Sequence, residues 1–327
     1  MTVLVAIYSP FASWCIPEEQ VERLRQMFPE HTFVRADSDE EALERIPDAD
    51  AAFSSLINQD HFRAARRLRW IHSPAAGVGG MLFPEMVASP IVITNSRGNS
   101  SATIAEHVIA VTLALLRGLP LAWTRQAERV WAQDEFNHAV DIRLLRSVRV
   151  LIVGLGSIGS EAARLAAAFG AEVVGIRRRA TRELPAGVAA VVTPDRLHDE
   201  LPAADVVVIA APQTRDTTHM IARRELALMK PDAVLVNVSR GKLVDESALV
   251  AALETGRLRG AALDVFEHEP LAVDSPLWTR PDVVITPHVS GFHARHWPNA
   301  TTLFADNFRR FLAGTPLLNL VDKQAGY

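Results

Sequence analysis

The chain of 327 residues contains a single cysteine, Cys15. One cysteine excludes an intramolecular disulfide and a metal site built from cysteines. The sequence also has little excess charge of either sign, with a formal net charge of −4. It therefore offers no electrostatic basis for binding nucleic acid or an anionic membrane surface, and we expect neither as a partner.

Long apolar runs are missing as well, because charged residues or glycines interrupt each of them well before the roughly 20 residues of a membrane span. Residues 1–8 are apolar but too short for a secretion signal, and no basic segment precedes them. The sequence shows no repeats and no low-complexity linker. We expect a cytoplasmic protein, and the scarcity of cysteine agrees with a reducing compartment.

Short apolar runs alternate with helical periodicities along the first hundred residues. The helix pattern at 18–27 follows Pro17, and Ser38 with Glu41 forms a capping-box pattern for a second short helix. A third helix is predicted at 62–67. Candidate strands lie at 3–8, 32–35, 51–56, 69–72 and 91–94. This alternation favours a parallel sheet with right-handed crossovers.

The same alternation starts again after a long helical stretch at 103–116. Six candidate strands follow, at 148–153, 172–176, 205–210, 233–238, 260–266 and 283–286. Several are continuous apolar runs, which is typical of strands covered on both faces. A last helix is predicted at 300–312, and the tail at 317–321 is expected to pack back on the first domain. The fold class is therefore α/β, with two doubly wound parallel-sheet domains.

Residues 154–159 form a Gly-x-Gly-x-x-Gly motif between a predicted strand and an alanine-rich helix, the context of a dinucleotide-binding turn. Gly154 permits the tight turn, Gly156 allows a pyrophosphate to approach the backbone, and Gly159 allows close packing of the helix. Ser157 and Ile158, at the helix start, are further candidate cofactor contacts. The alternative is a structural turn without a ligand.

Three arginines, Arg177, Arg178 and Arg179, stand where an NAD-binding protein places an acid for the ribose hydroxyls. Arginine cannot accept those hydrogen bonds, but it can pair with the 2′-phosphate of NADP and stack on adenine. We therefore expect a preference for NADP over NAD, with Arg177 and Arg178 as phosphate contacts. A solvated basic turn that leaves the cofactor undecided is the alternative.

Three further motifs follow predicted strands: Asn-Val-Ser-Arg-Gly (237–241), Leu-Asp-Val-Phe-Glu-His-Glu-Pro (263–270) and Thr-Pro-His-Val-Ser-Gly (286–291). With the glycine motif and Ile-Ala-Glu-His (104–107), they resemble the D-isomer-specific 2-hydroxyacid dehydrogenase family. That family includes phosphoglycerate dehydrogenases, glyoxylate/hydroxypyruvate reductases and D-lactate dehydrogenases. The resemblance implies a flavodoxin-like substrate domain (1–100 with 291–327), a Rossmann cofactor domain (101–290) and an active site between them.

The resemblance assigns the catalytic roles to Arg240, Glu269 and His288. Their chemistry suits reduction of a keto acid, because histidine is the best proton donor near neutral pH. A carboxylate beside the imidazolium favours its charged form and fixes the ring. Arg240 can bind the substrate carboxylate and polarise the carbonyl. Taken singly, Glu269 is more simply a solvated loop acid, and Arg240 a surface arginine.

The resemblance also assigns the loop at 73–78 to the substrate carboxylate, through backbone N–H groups of Ala75, Ala76 and Gly77. An ordinary glycine-rich turn is the alternative. Further cofactor contacts are implied at Ala211, Pro212, Val238, Ser239, Asp264 and His288, and a structural role is nearly as plausible for Asp264. Trp14, Leu56, Phe292 and Trp297 suggest an apolar wall near the substrate.

The expected activity is hydride transfer between NAD(P)H and a 2-keto acid, giving a D-2-hydroxy acid, with glyoxylate, hydroxypyruvate or a larger keto acid as substrate. A formate- or phosphite-type dehydrogenase and a dinucleotide-sensing regulatory protein are the alternatives. No ligand spacing supports a metal site. The resemblance implies a homodimer formed through the Rossmann domain, with Trp123 and Trp131 as candidate interface aromatics, although core packing explains them equally well.

Overall fold

The computed structural model describes residues 1–139, 141–178 and 184–326, so Arg179 of the arginine triplet lies outside the described residues. Chain contacts divide the protein into two compact units. Unit 1 comprises Met1–Asn99 and His293–Tyr327, and unit 2 comprises Ser100–Phe292. Each unit contains its own parallel sheet with helices on its faces, which confirms the predicted α/β fold class.

The described residues form twelve strands and twelve α-helices. The strands are β1 (Thr2–Ala6), β2 (Thr32–Ala36), β3 (Ala51–Ser54), β4 (Trp70–Ser73), β5 (Val92–Asn95), β6 (Arg149–Val153), β7 (Glu172–Ile176), β8 (Ala190–Val192), β9 (Val206–Ile209), β10 (Val234–Asn237), β11 (Gly260–Leu263) and β12 (Val283–Ile285). The helices are α1 (Glu18–Met27), α2 (Asp39–Arg45), α3 (Gln59–Ala64), α4 (Pro84–Ala88), α5 (Ser101–Leu116), α6 (Leu119–Glu128), α7 (Gln133–Ala139), α8 (Ser157–Ala168), α9 (Leu197–Glu200), α10 (Arg223–Leu228), α11 (Glu246–Glu254) and α12 (His296–Ala313).

The sheet of unit 1 has the strand order β2-β1-β3-β4-β5, with every strand parallel to its neighbours. This is the flavodoxin-like order, whose reversal point lies between β1 and β3. Ligands of such sheets bind beyond the carboxyl ends of the strands at that point. Any site of unit 1 is therefore expected in the loops that follow β1, β3 and β4.

Helix α12 attaches the C-terminal part of the chain to the sheet of unit 1. Its Phe304 stacks on Phe53 at 4.5 Å and on Trp70 at 5.2 Å between ring centroids. The tail then pairs with the edge of the sheet, because the Val321 N–H donates to the Ile93 carbonyl at 2.9 Å. Phe53, Trp70 and Phe304 are among the largest fully buried side chains of the protein, and all three belong to the apolar core on that face of the sheet.

Local hydrogen bonds set the starts of two short helices. The Ser38 hydroxyl accepts from the Glu41 N–H, as predicted, but the Glu41 carboxylate accepts from Asp37 rather than from Ser38. Helix α3 begins at Gln59, three residues before the predicted start. The reason is a capping box in which Asn58 accepts from the His61 N–H at 2.9 Å and donates to the His61 ring.

The sheet of unit 2 has the order β12-β11-β10-β9-β6-β7-β8, again parallel throughout. It is the six-stranded order of the Rossmann fold with a seventh strand, β12, added at one edge. The prediction of six strands was wrong because it missed β8. That edge strand has only three residues, all of them half-buried, so it lacks the long buried apolar run of its neighbours.

Two apolar clusters cover the two faces of this sheet, and α5 packs against α8 on one of them. The segment between α5 and β6 forms the helices α6 and α7, in which Trp123 has 51% of its surface exposed. Trp131, in the turn between them, is 90% exposed, so core packing within this chain does not explain it.

Among the described residues, no single helix combines the length and the apolar character needed to cross a membrane; the bent pair α5 and α6 meets that criterion only when both are taken together.

Candidate active site

The glycine turn joins β6 to α8 and depends on the absence of side chains at two positions. Gly154 has φ of 107°, and a Cβ there would lie 2.5 Å from the backbone nitrogen of Ala211. A Cβ on Gly159 would lie 2.1 Å from the Gly154 carbonyl oxygen. The N–H groups of Gly154 and Leu155 both donate to the Ile176 carbonyl at 3.0 Å, which fixes the turn against the end of β7. Both glycines are therefore required for packing.

Gly156 is different, because a Cβ added there would meet no atom within 4 Å. Helix α8 begins at the next residue, Ser157, and among the described residues no side chain caps its first turn. An open backbone face and uncapped N–H groups at the positive end of a twelve-residue helix form a binding surface for an anion. These residues fit the pyrophosphate of a dinucleotide.

Arg177 and Arg178 are both exposed, directly after the end of β7. The Arg177 N–H donates to the Val192 carbonyl at 3.0 Å, so its backbone is fixed by β8. Neither residue is an acid that could accept hydrogen bonds from a ribose diol. Strands β6 and β7 are parallel neighbours. Arg177 and Arg178, which follow β7, are therefore at the same end of the sheet as the glycine turn, which follows β6.

The Asn-Val-Ser-Arg-Gly motif forms a tight loop after β10. The Asn237 side chain donates to the Arg240 carbonyl at 3.0 Å and accepts from the Ser239 N–H at 3.1 Å. A Cβ on Gly241 would lie 1.8 Å from the Phe266 carbonyl carbon. The loop after β10 therefore packs directly on the backbone that follows β11.

The loops after β9 and β10 are also joined, because the Ser239 hydroxyl donates to the Ala211 carbonyl at 2.5 Å. Ala211 and Val238 are buried, whereas Pro212 is exposed. These four predicted cofactor contacts therefore lie on adjacent loops at the carboxyl edge of the sheet.

Arg240 is half-buried within its loop. Burial lowers the pKa of its guanidinium, and the negative charge of Glu269 opposes that effect. One guanidinium nitrogen donates to the Ser239 carbonyl at 2.6 Å. In the described hydrogen bonds its remaining N–H groups have no protein acceptor, so Arg240 can still bind an anionic ligand.

Glu269 and His288 are joined by a hydrogen bond, with 2.7 Å between Oε2 and Nδ1. The other carboxylate oxygen accepts from the Phe266 N–H at 3.0 Å, which fixes the orientation of the carboxylate. Partial burial raises the pKa of Glu269, but the hydrogen bonds from His288 and Phe266 and the charge of Arg240 outweigh it and bring the pKa below its ordinary value. Glu269 is therefore a charged partner for the His288 ring.

His288 has φ of 54°, a left-handed conformation that is uncommon for residues other than glycine. Buried Asp264 stabilises the loop in this shape: its carboxylate accepts from the Thr286 hydroxyl at 2.6 Å, the Val289 N–H at 2.9 Å and the Ser290 N–H at 3.1 Å. The His288 N–H itself donates to the Asp264 carbonyl at 2.9 Å. Strain of this kind persists where the surroundings over-determine the backbone, often at functional sites.

In unit 1, two residues at the end of β5 fix the loop that follows β4. The Asn95 side chain donates to the Ala76 carbonyl at 2.7 Å, and the Ser96 N–H donates to the Ala75 carbonyl at 3.1 Å. The Ala75 N–H donates to the Ser73 hydroxyl at 3.2 Å. Ala76 and Gly77 are exposed, and their N–H groups have no protein acceptor in the described hydrogen bonds.

Comparison with known proteins identifies the family. Residues 109–290 match the family model described as "D-isomer specific 2-hydroxyacid dehydrogenase, NAD binding domain". A glyoxylate reductase of Thermococcus gammatolerans is 34% identical over 96% of this chain and 96% of its own length. The chain belongs to the D-isomer-specific 2-hydroxyacid dehydrogenase family. The resemblance inferred from the sequence motifs is thereby confirmed.

Other members share less of their length or sequence with this dehydrogenase-family chain. A D-3-phosphoglycerate dehydrogenase of Methanocaldococcus jannaschii is 32% identical over 86% of the chain, which spans only about half (53%) of that relative. The crystal structure of an NADPH-dependent glyoxylate/hydroxypyruvate reductase from Sinorhizobium meliloti, in complex with NADP and sulfate, has a TM-score of 0.84 at 27% identity. It covers 100% of this chain and 99% of its own.

A second solved structure is the D-isomer specific 2-hydroxyacid dehydrogenase of Xanthobacter autotrophicus in complex with NADPH and MES. Its TM-score is 0.83 at 30% identity, over 100% of this chain and 99% of its own. These similarities agree with the two parallel-sheet units seen here.

Sequence reasoning missed several residues that shape the site of this family member. The sequence motif contains Asn237 and Gly241 but does not predict their roles. Asn237 fixes the Arg240 loop, and Gly241 allows that loop to pack closely on its neighbour. His107 of α5 lies 3.3 Å from the Thr286 hydroxyl and so extends the Asp264 network. Burial lowers the pKa of His107, and the nearby Asp264 charge opposes this. Its place in the Ile-Ala-Glu-His segment was the one available signal.

In the described part of the chain, no group of three or more His, Cys, Asp or Glu side chains is arranged to bind a metal ion.

Proposed function

We propose that this protein reduces a 2-keto acid to a D-2-hydroxy acid with NAD(P)H. The observation that carries the proposal is the Glu269–His288 pair, with 2.7 Å between the two side chains. The pair lies at the carboxyl ends of the strands of unit 2, where Arg240 and the glycine turn also lie. A proton donor, its charged orienting partner and an anion-binding arginine are the parts that this reaction needs. Family membership independently favours it.

NAD(P)H, when bound, supplies the hydride that adds to the keto carbon. Gly154, Gly156 and the N–H groups at Ser157 and Ile158 would bind the pyrophosphate, with Gly159 providing the close packing. Ala211, Pro212, Val238, Ser239 and Asp264 are proposed to line the remainder of the cofactor site.

His288 is proposed to donate the proton that the reduced carbonyl oxygen requires. Glu269 occupies Nδ1 and orients the ring, so the proton is donated from Nε2. The overall change is balanced, since the substrate carbonyl gains one hydride and one proton. In the reverse direction the neutral ring accepts the proton again.

Arg240 is proposed to bind the substrate carboxylate and polarise the carbonyl through its uncommitted N–H groups. In unit 1, the exposed N–H groups of Ala76 and Gly77 are suitable donors to a substrate carboxylate. Ala75 is a weaker candidate, because its N–H already donates to Ser73.

We further propose a preference for NADPH, based on the exposed Arg177 and Arg178 at the end of β7. A guanidinium can pair bidentately with a 2′-phosphate, and neither of these two residues can accept hydrogen bonds from the ribose diol of NAD. The Sinorhizobium and Xanthobacter relatives, solved with NADP and NADPH, support this choice.

The test is oxidation of NADPH and of NADH by the purified protein with glyoxylate, hydroxypyruvate, pyruvate and 2-ketoisocaproate. We expect turnover with a higher kcat/KM for NADPH, and we expect the double variant Arg177→Ala/Arg178→Ala to lower that preference roughly tenfold or more. Equal kcat/KM for both cofactors would contradict the preference alone. Binding of NADPH without reduction of any keto acid would contradict the enzyme and favour a dinucleotide-sensing protein.

A further inference from the structure

A cavity of about 220 Å³ lies entirely within unit 1, at the carboxyl ends of its strands. It is lined by the loops that follow β1, β3 and β4, at the point where the strand order reverses, and by the start of α12. Pro74 and Ala75 line it and continue directly into the proposed carboxylate-binding N–H groups of Ala76 and Gly77. The cavity is therefore next to a substrate carboxylate bound by that loop.

Aromatic rings form the walls of this cavity, which we call the aromatic pocket. Trp14 and Trp297 both line it, with His296 between them. The His296 ring meets Trp14 edge-on at 6.1 Å and Trp297 edge-on at 4.9 Å between centroids. Leu56, which the sequence suggested as part of an apolar wall, is 43% exposed and is not among the lining residues.

None of the described side chains that line the aromatic pocket is a lysine, an arginine or a carboxylate. Tyr8 is neutral, because burial and then the nearby Asp39 charge raise its pKa to about 12. Burial and then the charge of His293 lower the pKa of His296, so this ring is uncharged near neutral pH. The remaining polar lining residues are the neutral Ser9 and Ser55.

We infer that the aromatic pocket binds the side chain of the 2-keto acid, and that this side chain is uncharged and apolar, up to the size of a phenyl ring, rather than phosphorylated. The inference rests on the proposed reductase function and specifies its substrate class. It separates this protein from its phosphoglycerate dehydrogenase relatives, whose name implies a phosphorylated substrate.

The volume of the aromatic pocket and the absence of charge among its described lining residues decide which substrate side chain it accepts. A cavity of roughly 150 Å³ lined by apolar groups is enough for benzene, so the pocket accepts a phenyl or isobutyl group with little rearrangement. A phosphate would also fit by volume. Its charge, however, would meet no arginine or lysine among the described lining residues, and these are the side chains whose charge-assisted hydrogen bonds best offset the desolvation of a phosphate.

The experiment measures kcat/KM with saturating NADPH for glyoxylate, 2-ketoisocaproate, phenylpyruvate and 3-phosphohydroxypyruvate. Glyoxylate carries no side chain and serves as the internal reference. We expect phenylpyruvate or 2-ketoisocaproate to exceed glyoxylate roughly tenfold or more, from burial of the side chain, and 3-phosphohydroxypyruvate to be the poorest.

Two variants and a control locate the effect. Trp14→Ala should reduce the phenylpyruvate-to-glyoxylate ratio of kcat/KM roughly tenfold, and Trp14→Phe should restore most of it. Trp278→Ala, a half-exposed tryptophan of unit 2, should leave the ratio unchanged. Ser55→Arg places a cation in the pocket and should raise the ratio of 3-phosphohydroxypyruvate to phenylpyruvate, which a distant site would not do.

The outcomes separate the two proposals. If no keto acid is reduced, the reductase function itself is wrong. If glyoxylate is reduced but the apolar substrates are no better, or if 3-phosphohydroxypyruvate is best, only the inference about the pocket is overturned. An unchanged ratio in Trp14→Ala would likewise refute it.

Discussion

At the scale of single residues, the site depends on two side chains, Glu269 and His288, that are joined by a hydrogen bond. Glu269 is fixed by the Phe266 N–H and by the His288 ring, and His288 is kept in a left-handed backbone conformation by the Asp264 network. Neither side chain would have this geometry from its own loop alone. The candidate catalytic pair therefore depends on the contacts that join the loops after β11 and β12.

Glu269→Gln keeps the shape and the acceptor for Phe266 but removes the charge. Because the pKa of Glu269 is lowered on folding, its pairing contributes stability above the unfolded pKa of about 4.3 and loses it as the pH falls through the lower folded pKa. We expect the variant to unfold more easily than wild type near neutral pH, with the difference vanishing in acid. We also expect kcat to fall by about 10²-fold.

Chemical denaturation at several pH values, together with steady-state kinetics, measures both effects. Asp274→Asn removes one charge from an exposed residue of the following loop and should change neither quantity. A stability difference that grows as the pH falls would contradict the assigned direction.

Gly241→Ala tests the close packing of the Arg240 loop. The new Cβ would lie 1.8 Å from the Phe266 carbonyl carbon, and backbone on both sides must move to accept it. We expect a loss of about 2 kcal/mol or more in the free energy of unfolding, with reduced activity. Gly79→Ala, whose Cβ meets nothing within 4 Å, is the matched control and should be nearly neutral. Equal stabilities of the two variants would refute the packing argument.

At the scale of elements, the sequence predicted most strands because they are buried apolar runs; β7, for example, lies where the pattern predicted it. Short or capped elements were harder. The prediction missed the edge strand β8 because its three residues are only half-buried. It placed the start of α3 three residues too late because the Asn58–His61 capping box was not recognised. Residue types at strand ends revealed the motifs, but periodicity contains no information on which loops contact each other. The Asn237, Asp264 and Thr286 networks therefore became visible only in three dimensions.

The β6–turn–α8 element makes a prediction that distinguishes binding from folding. Gly156→Val should keep most of the wild-type stability, because a Cβ at this position meets no atom within 4 Å, yet weaken NADPH binding roughly tenfold or more by blocking the approach of the phosphate. Gly159→Ala should instead destabilise the fold through its contact with the Gly154 carbonyl. Thermal unfolding and fluorescence titration with NADPH measure the two effects. Tight NADPH binding by Gly156→Val would show that the cofactor does not use this turn.

At the scale of the whole molecule, we propose a homodimer formed through unit 2. Trp131 is 90% exposed and Val130 beside it is 51% exposed, with half-exposed Trp123 on the neighbouring helix, and aromatic residues are enriched at interfaces. Light scattering should give twice the mass of one chain, and the double variant Val130→Glu/Trp131→Glu should give a single chain. A monomeric wild type would refute this assembly.

The central claim is that His288 donates the proton in reduction of a keto acid. The most direct measurement is the single-turnover rate of NADPH oxidation with the best keto acid, in wild type, in His288→Ala and in His268→Ala, an exposed histidine beside Glu269. We predict a loss of roughly 10²- to 10⁴-fold in His288→Ala alone, with NADPH binding retained. A His288→Ala variant that oxidises NADPH at the wild-type rate would contradict the proposed mechanism.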